Sequence, residues 1–99
     1  MSNDPFRDFE QACLSLLSAH VDVPEDAVMS VPPRREFGDL SSNAAFLLAK
    51  PMRRAPRDIA QDVVGEMDVS TYRLIAKAEV AGPGYINFFM DYDAFAAHV

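Results

Sequence analysis

The clearest pattern of polar and apolar positions lies near the C-terminal end of the chain. Leu74, Ala76, Ala78 and Val80 alternate with Ile75, Lys77, Glu79 and Ala81; after Gly82-Pro83-Gly84, Ile86, Phe88 and Met90 alternate with Tyr85, Asn87 and Phe89. A period of two belongs to a strand with one buried face. Between the runs, a proline with φ held at about −65° is flanked by two glycines that tolerate positive φ, which is turn chemistry. The pattern predicts a β-hairpin. Its parity sends Ile86, Phe88 and Met90 to the core and leaves Tyr85 and Asn87 together on the opposite, solvent face.

Elsewhere the period is helical. Asp4 is placed to cap a helix that Pro5 opens, with Phe6, Phe9, Cys13, Leu16 and Leu17 on one face and an end near His20. Ala27 to Val31 reads as a short strand stopped by Pro32-Pro33, and Arg34 and Arg35 follow in an exposed loop. Gly38 to Asn43 offers helix caps in a row, Asp39 among them, before the apolar run Ala44 to Ala49, a second helix expected to be buried on most sides. After two prolines, Pro56 opens a third helix whose Ile59, Ala60, Val63, Val64 and Met67 form one face, with Asp58, Asp62 and Glu66 on the wet side. A final helix opens at about Tyr92. The order α-β-α-α-β-β-α implies an α+β fold, a small antiparallel β-sheet with helices packed on one face.

Composition narrows the functions open to such a fold. Ninety-nine residues with 49% hydrophobic content form a single domain, residues 1–99. A net charge of −6 argues against gripping nucleic acid by a general positive field, so any RNA contact must be local, and neither DNA nor a membrane is an expected partner. No apolar run approaches the ~20 residues that span a bilayer, and the first residues lack a signal-peptide pattern. With the lone cysteine, Cys13, this points to a cytoplasmic setting. The run Ala94 to Val99 reads as the opening of a helix without a closing signal, as expected of a segment cut from a longer parent.

Candidate chemistry is correspondingly local. A ring and an amide two residues apart, leaving a rigid turn, suit a flat polar group: Tyr85 supplies a stacking platform and Asn87 both a donor and an acceptor. An ordinary surface pair beside a turn would read the same way. Lys50, Arg53, Arg54 and Arg57 place four of the nine basic residues within eight positions, with no acid among them. They are candidates for phosphate contacts, or for docking another domain. Arg34, Arg35 and Lys77 are weaker candidates, Lys77 gaining weight if it shares the Tyr85 face. Phe88 and Phe89 take opposite faces, so one is expected to face outward or to meet the terminal helix; an outward Phe89 would be a stacking or docking surface, or one covered by another domain. His20 and His98 stand alone, no nucleophile has a catalytic frame, and no metal-ligand spacing occurs.

Three blocks carry a resemblance. Phe37-Gly38-Asp39-Leu40-Ser41-Ser42-Asn43-Ala44-Ala45, Ala55-Pro56-Arg57-Asp58-Ile59-Ala60 and Val80-Ala81-Gly82-Pro83-Gly84-Tyr85-Ile86-Asn87-Phe88 occur in that order. Together they make the chain resemble the N-terminal appended domain of arginyl-tRNA synthetases, roughly from Val31 to Met90. The resemblance implies that the domain contacts the D-loop at the elbow of arginine tRNA, with Tyr85 and Asn87 at the positions that recognise a D-loop base in bacterial-type members. It implies a parent enzyme, a class I arginine–tRNA ligase using ATP and magnesium, whose catalytic domain is a partner in the same chain. No cofactor is expected for this domain itself, and neither a His-Ile-Gly-His-type nor a Lys-Met-Ser-Lys-type run occurs in it, so it is expected to be non-catalytic. Two positions depart from the family. Phe37-Gly38-Asp39-Leu40 stands for a frequent His-Gly-Asp-Tyr, and Ala55 replaces a capping Asn, a change worth ~1 kcal/mol; neither is expected to touch the base contact. The alternative is a small α+β module for protein–protein interaction or oligomerisation, using the hairpin face and Phe89. An independent small-molecule enzyme has no convergent polar pocket visible in the sequence.

Overall fold

The computed structural model describes residues 5–98, the side chains of 5, 95, 97 and 98 excepted. The cap expected from Asp4 lies outside these residues, as does the side chain of His98. Helix α1 (Pro5–Ser18) leads to a two-residue strand β1 (Met29–Ser30), then β2 (Leu40–Ser42), α2 (Ala44–Met52), α3 (Pro56–Glu66), β3 (Ile75–Ala81), β4 (Tyr85–Met90) and α4 (Tyr92–His98). The α+β class and the order of helices and hairpin follow the hydrophobic pattern. The sheet is antiparallel, with strand order β1-β2-β4-β3.

One face of this sheet carries the core. Leu40, Ile75, Ile86, Phe88 and Met90 are buried, and the helices add Phe9, Cys13, Leu16, Leu17, Ala44, Ala45, Ile59, Ala60 and Val63 to the same cluster. The apolar faces expected of α1 and α3 are those that pack. The second helix corrects the expectation: only Ala44 and Ala45 are fully buried, while Phe46 to Ala49 are half-buried. It also runs through Pro51 into its last turn and ends on Arg53, a left-handed residue at φ 55°.

Three local readings change. The run of caps before α2 contains a strand, Leu40–Ser42, whose Leu40 and Ser42 pair with Phe88 and Ile86. Asp39 is not a helix cap. Its Oδ2 accepts the Met90 N–H at 2.8 Å, its own N–H donates to the Phe88 carbonyl, and Ser42 Oγ takes the Ala44 N–H at the start of α2. Asn43 instead holds the edge strand, its Oδ1 accepting the Val28 N–H at 2.8 Å. In β3 the register shifts between Ile75 and Lys77. This irregularity turns Ile75 into the core and leaves Ala76 exposed, where strict alternation expected the reverse. The loss of a cap at Ala55 is as expected: no side chain caps α3, and Pro56 opens it.

The hairpin turn is seated on the start of α3. Gly82 and Gly84 have φ of 55° and 150°. At Gly84 a Cβ would lie 2.6 Å from Pro56 Cβ, and Arg57 donates a hydrogen bond to the Gly82 carbonyl. Gly84→Ala therefore meets both a forbidden φ and a clash, and is expected to cost at least ~2 kcal/mol in urea unfolding. A near-neutral result would show that the turn moves freely off α3. Burial, with smaller contributions from Glu10 and Asp39, pushes the Cys13 thiol far above its ordinary pKa. Cys13 is expected to resist alkylation at neutral pH until the chain unfolds, read as a mass shift appearing only in denaturant.

Candidate nucleic-acid interface

The second sheet face is assembled by register. Ser30 pairs with Ser41, Ser41 with Asn87 and Asn87 with Glu79, so these four side chains form one row across all four strands. Tyr85 and Phe89 flank Asn87 along β4, opposite Ala81 and Lys77. Helices cover the other face, so this row is covered only by what the loops bring over it. The segment from Val31 to Phe37 does so. Its Val31, Pro32, Pro33 and Phe37, together with Ser30, Ser41, Asn87, Tyr85 and the turn residues Ala81 to Pro83, line a cavity of about 410 Å³. That volume lies within the ~300–1,000 Å³ of small-ligand sites.

Tyr85 and Asn87 share a face, as their parity predicts, but differ in depth. Tyr85 is 44% exposed, whereas Asn87 is 5% exposed and so not a solvent-face residue. Neighbours on every side of the row enclose it, which alternation along one strand cannot reveal. Phe46 of α2 backs the Tyr85 ring, with centroids 4.7 Å apart and planes inclined at 58°. Asn87 Oδ1 is buried and accepts no hydrogen bond. Such a group costs ~1–3 kcal/mol while it stays unpaired; Asn87 lies in the cavity lining, with this oxygen itself closed to solvent.

Phe37 was expected to stand clear of the base contact. It lines the cavity instead, because the short 3₁₀ turn Arg35–Phe37 folds it back over the sheet. Val31, Pro32, Pro33, Ser30 and Ser41 line it too and were not singled out from the sequence; the proline pair that stops β1 was the one available signal. Gly38, with φ 100°, lets this segment pass: a Cβ there would lie 2.8 Å from the Phe88 carbonyl oxygen.

The basic candidates separate into free and engaged groups. Arg57 is committed to the Gly82 carbonyl, and Arg54 pairs with Asp62 at 2.6 Å. Lys50 and Arg53 are exposed and form no ion pair among the described residues. Arg34 pairs with Glu36 at 3.2 Å. Arg35 donates to the Tyr92 hydroxyl at 2.9 Å, and that hydroxyl donates to Asp39 Oδ1. The bond to Asp39, and then burial, raises the Tyr92 phenol above its ordinary pKa, so it stays protonated through the neutral range. Lys77 does share the Tyr85 face, but its Nζ sits 4.4 Å from the centroid of the half-buried Phe89 ring and 3.3 Å from Glu79.

The family profile described as "Arginyl tRNA synthetase N terminal domain" matches residues 7–90. The chain belongs to that family. This arginyl-tRNA synthetase N-terminal domain is 52% identical over 64 residues to an arginine–tRNA ligase of Thermococcus sibiricus, a match covering 65% of this chain and 10% of the relative. It is 47% identical over 75 residues to that of Acidithiobacillus ferrooxidans, covering 76% and 13%. The solved arginyl-tRNA synthetase of Thermus thermophilus superposes with a TM-score of 0.64 at 28% identity, over 89% of this chain and 14% of the other. The domain thus spans only a small part of the length of the relatives it matches. No helix among the described residues is long and apolar enough to cross a membrane.

Asn87→Val removes the unpartnered carbonyl and favours the strand, and is expected to leave the free domain as stable or up to ~1 kcal/mol more stable in urea unfolding. A loss of more than ~2 kcal/mol would mean that the amide is satisfied within the fold.

Proposed function

We propose that this domain reads the elbow of arginine tRNA for an arginine–tRNA ligase, taking one D-loop base into the cavity between Tyr85 and the Val31–Phe37 segment. The observation that carries this is the buried, unpartnered Asn87 Oδ1 beside the half-exposed Tyr85 ring. A base stacked on Tyr85 contributes ~1–3 kcal/mol whatever its identity. Asn87, offering a carbonyl and an amino group to the base edge, supplies the preference. Of the four basic residues between positions 50 and 57, Lys50 and Arg53 have no ion pair and no side-chain hydrogen bond among the described residues, and so are the first candidates for backbone phosphates; Arg34 is weakly held and can be diverted. Arg54 and Arg57 support this reading less, since each has an internal partner.

The full-length parent would attach arginine to tRNA with ATP and magnesium in a catalytic domain elsewhere in the chain. The cavity of this domain offers apolar walls, hydroxyls and one amide. The domain's contribution would be placement, realised at a distance from the chemistry. A cytoplasmic setting follows from that role.

An NMR titration at low salt tests the reading. Arginine tRNA is expected to shift Tyr85, Asn87 and the Lys50–Arg57 segment, with smaller shifts when the D-loop base is altered. Tyr85→Ala is expected to weaken binding by ~5- to 150-fold, the equivalent of one lost stack. Equal binding of intact and altered D-loops, or self-association with no shift on adding tRNA, would favour an interaction module instead.

A further inference from the structure

The cavity has two walls of different construction. The hairpin wall is fixed by the packing of Gly84 on Pro56. The opposite wall, Val31 to Phe37, contains no strand and only the short turn Arg35–Phe37. Val31 is 69% exposed and Phe37 44%, so burial does little to hold it in place. Its backbone hydrogen bonds from Phe37 to Arg34 and from Gly38 to Arg35 are internal, as is the Arg34–Glu36 pair.

The side-chain tie from this wall to the rest of the molecule is Arg35. Its guanidinium donates to the Tyr92 hydroxyl at 2.9 Å and lies 5.4 Å from the ring centroid. Tyr92 donates in turn to Asp39, whose other oxygen holds the Met90 N–H at the end of β4. Tyr92 is the first residue of α4, and neither it nor Arg35 lines the cavity; Arg35 acts as the anchor of the segment whose Val31, Pro32, Pro33 and Phe37 do.

We propose that Tyr92 is a positioning residue for the base pocket: by holding Arg35 it sets the gap between the Val31–Phe37 wall and the Tyr85 ring, and with it the selectivity for a planar group placed between them. This rests on the reading of the cavity as a nucleobase site. Tyr92 touches no ligand. Its hydroxyl acts through Arg35, so removing it loosens the wall while leaving Tyr85 and Asn87 as they are. It also removes Arg35 from the set of free phosphate contacts, since its charge is used inside the domain.

The test compares affinities of the 99-residue chain for arginine tRNA and for the same tRNA with its D-loop base altered. The ratio of the two is independent of the folded fraction, so a merely structural defect does not move it. Tyr92→Phe keeps the ring and is expected to reduce the ratio ~3- to 10-fold, the equivalent of one hydrogen bond. Amide resonances of Val31, Arg35 and Phe37 are expected to shift in the free protein. Arg35→Met is expected to give the same reduction, and the double variant no more than either alone. An unchanged ratio in Tyr92→Phe, or an Arg35→Met variant that weakens both tRNAs equally, overturns the proposal. Asn87→Val, which removes the group that supplies the preference, separates the two readings: if it too leaves the ratio unchanged, the nucleobase site itself fails; if it lowers the ratio where Tyr92→Phe does not, only the positioning role fails.

Discussion

The contact of Gly84 with Pro56 is the constraint on which the site depends. Backbone meets helix start with no room for a Cβ, and the Arg57 hydrogen bond to Gly82 closes the same junction from the other side. Two elements far apart in sequence are thereby set at one distance. Tyr85 follows Gly84 directly, so the ring emerges from a closely packed point of the chain. Phe46 behind it removes much of the remaining freedom. Rigidity at the turn is what allows a single aromatic side chain to serve as a platform, because little order has to be gained when something stacks on it.

Much of this was legible in the amino-acid pattern, and the exceptions have a common cause. The faces of α1 and α3 and the two arms of the hairpin declare themselves because each is long enough for its period to be counted. Leu40–Ser42 is too short for that, and its Ser-Ser-Asn chemistry suits a helix cap equally well; only pairing with β4 decides it. The irregularity at Ala76 is invisible for the same reason, since alternation assumes one residue per step. Asn87 is the most instructive case. Parity identified its face correctly, yet its burial comes from Ser41, Glu79, Tyr85 and Phe89 around it and from a loop fifty residues upstream in sequence. Face is a local property; depth is a tertiary one.

The same distinction governs the charges. Four basic residues between positions 50 and 57 look interchangeable on paper, but their partners differ. Arg54, in the connection before α3, finds Asp62 on that helix, Arg57 finds a backbone carbonyl across the turn, and Lys50 and Arg53 find no ion-pair partner among the described residues. In an acidic domain the cations left over after such internal commitments, rather than the cluster as a whole, are what a polyanion meets. On the proposed reading the domain would present RNA with a few cations and one shaped cavity, and selectivity would have to come from shape and hydrogen bonding more than from field.

The sheet has a further property that follows from its two outer strands. Because β1 and β3 are its edges, both could in principle template another chain through their unpaired backbone groups. One edge is only two residues long and runs at once into Pro32-Pro33, which offer no N–H groups; the other is kinked at Ala76 and carries Lys77 and Glu79 outward. Neither presents a flat, extended rim. A domain with one face of its sheet free of helices is thus protected against the usual hazard of that exposure, the zipping of sheet to sheet into aggregates, by devices written into its outer strands.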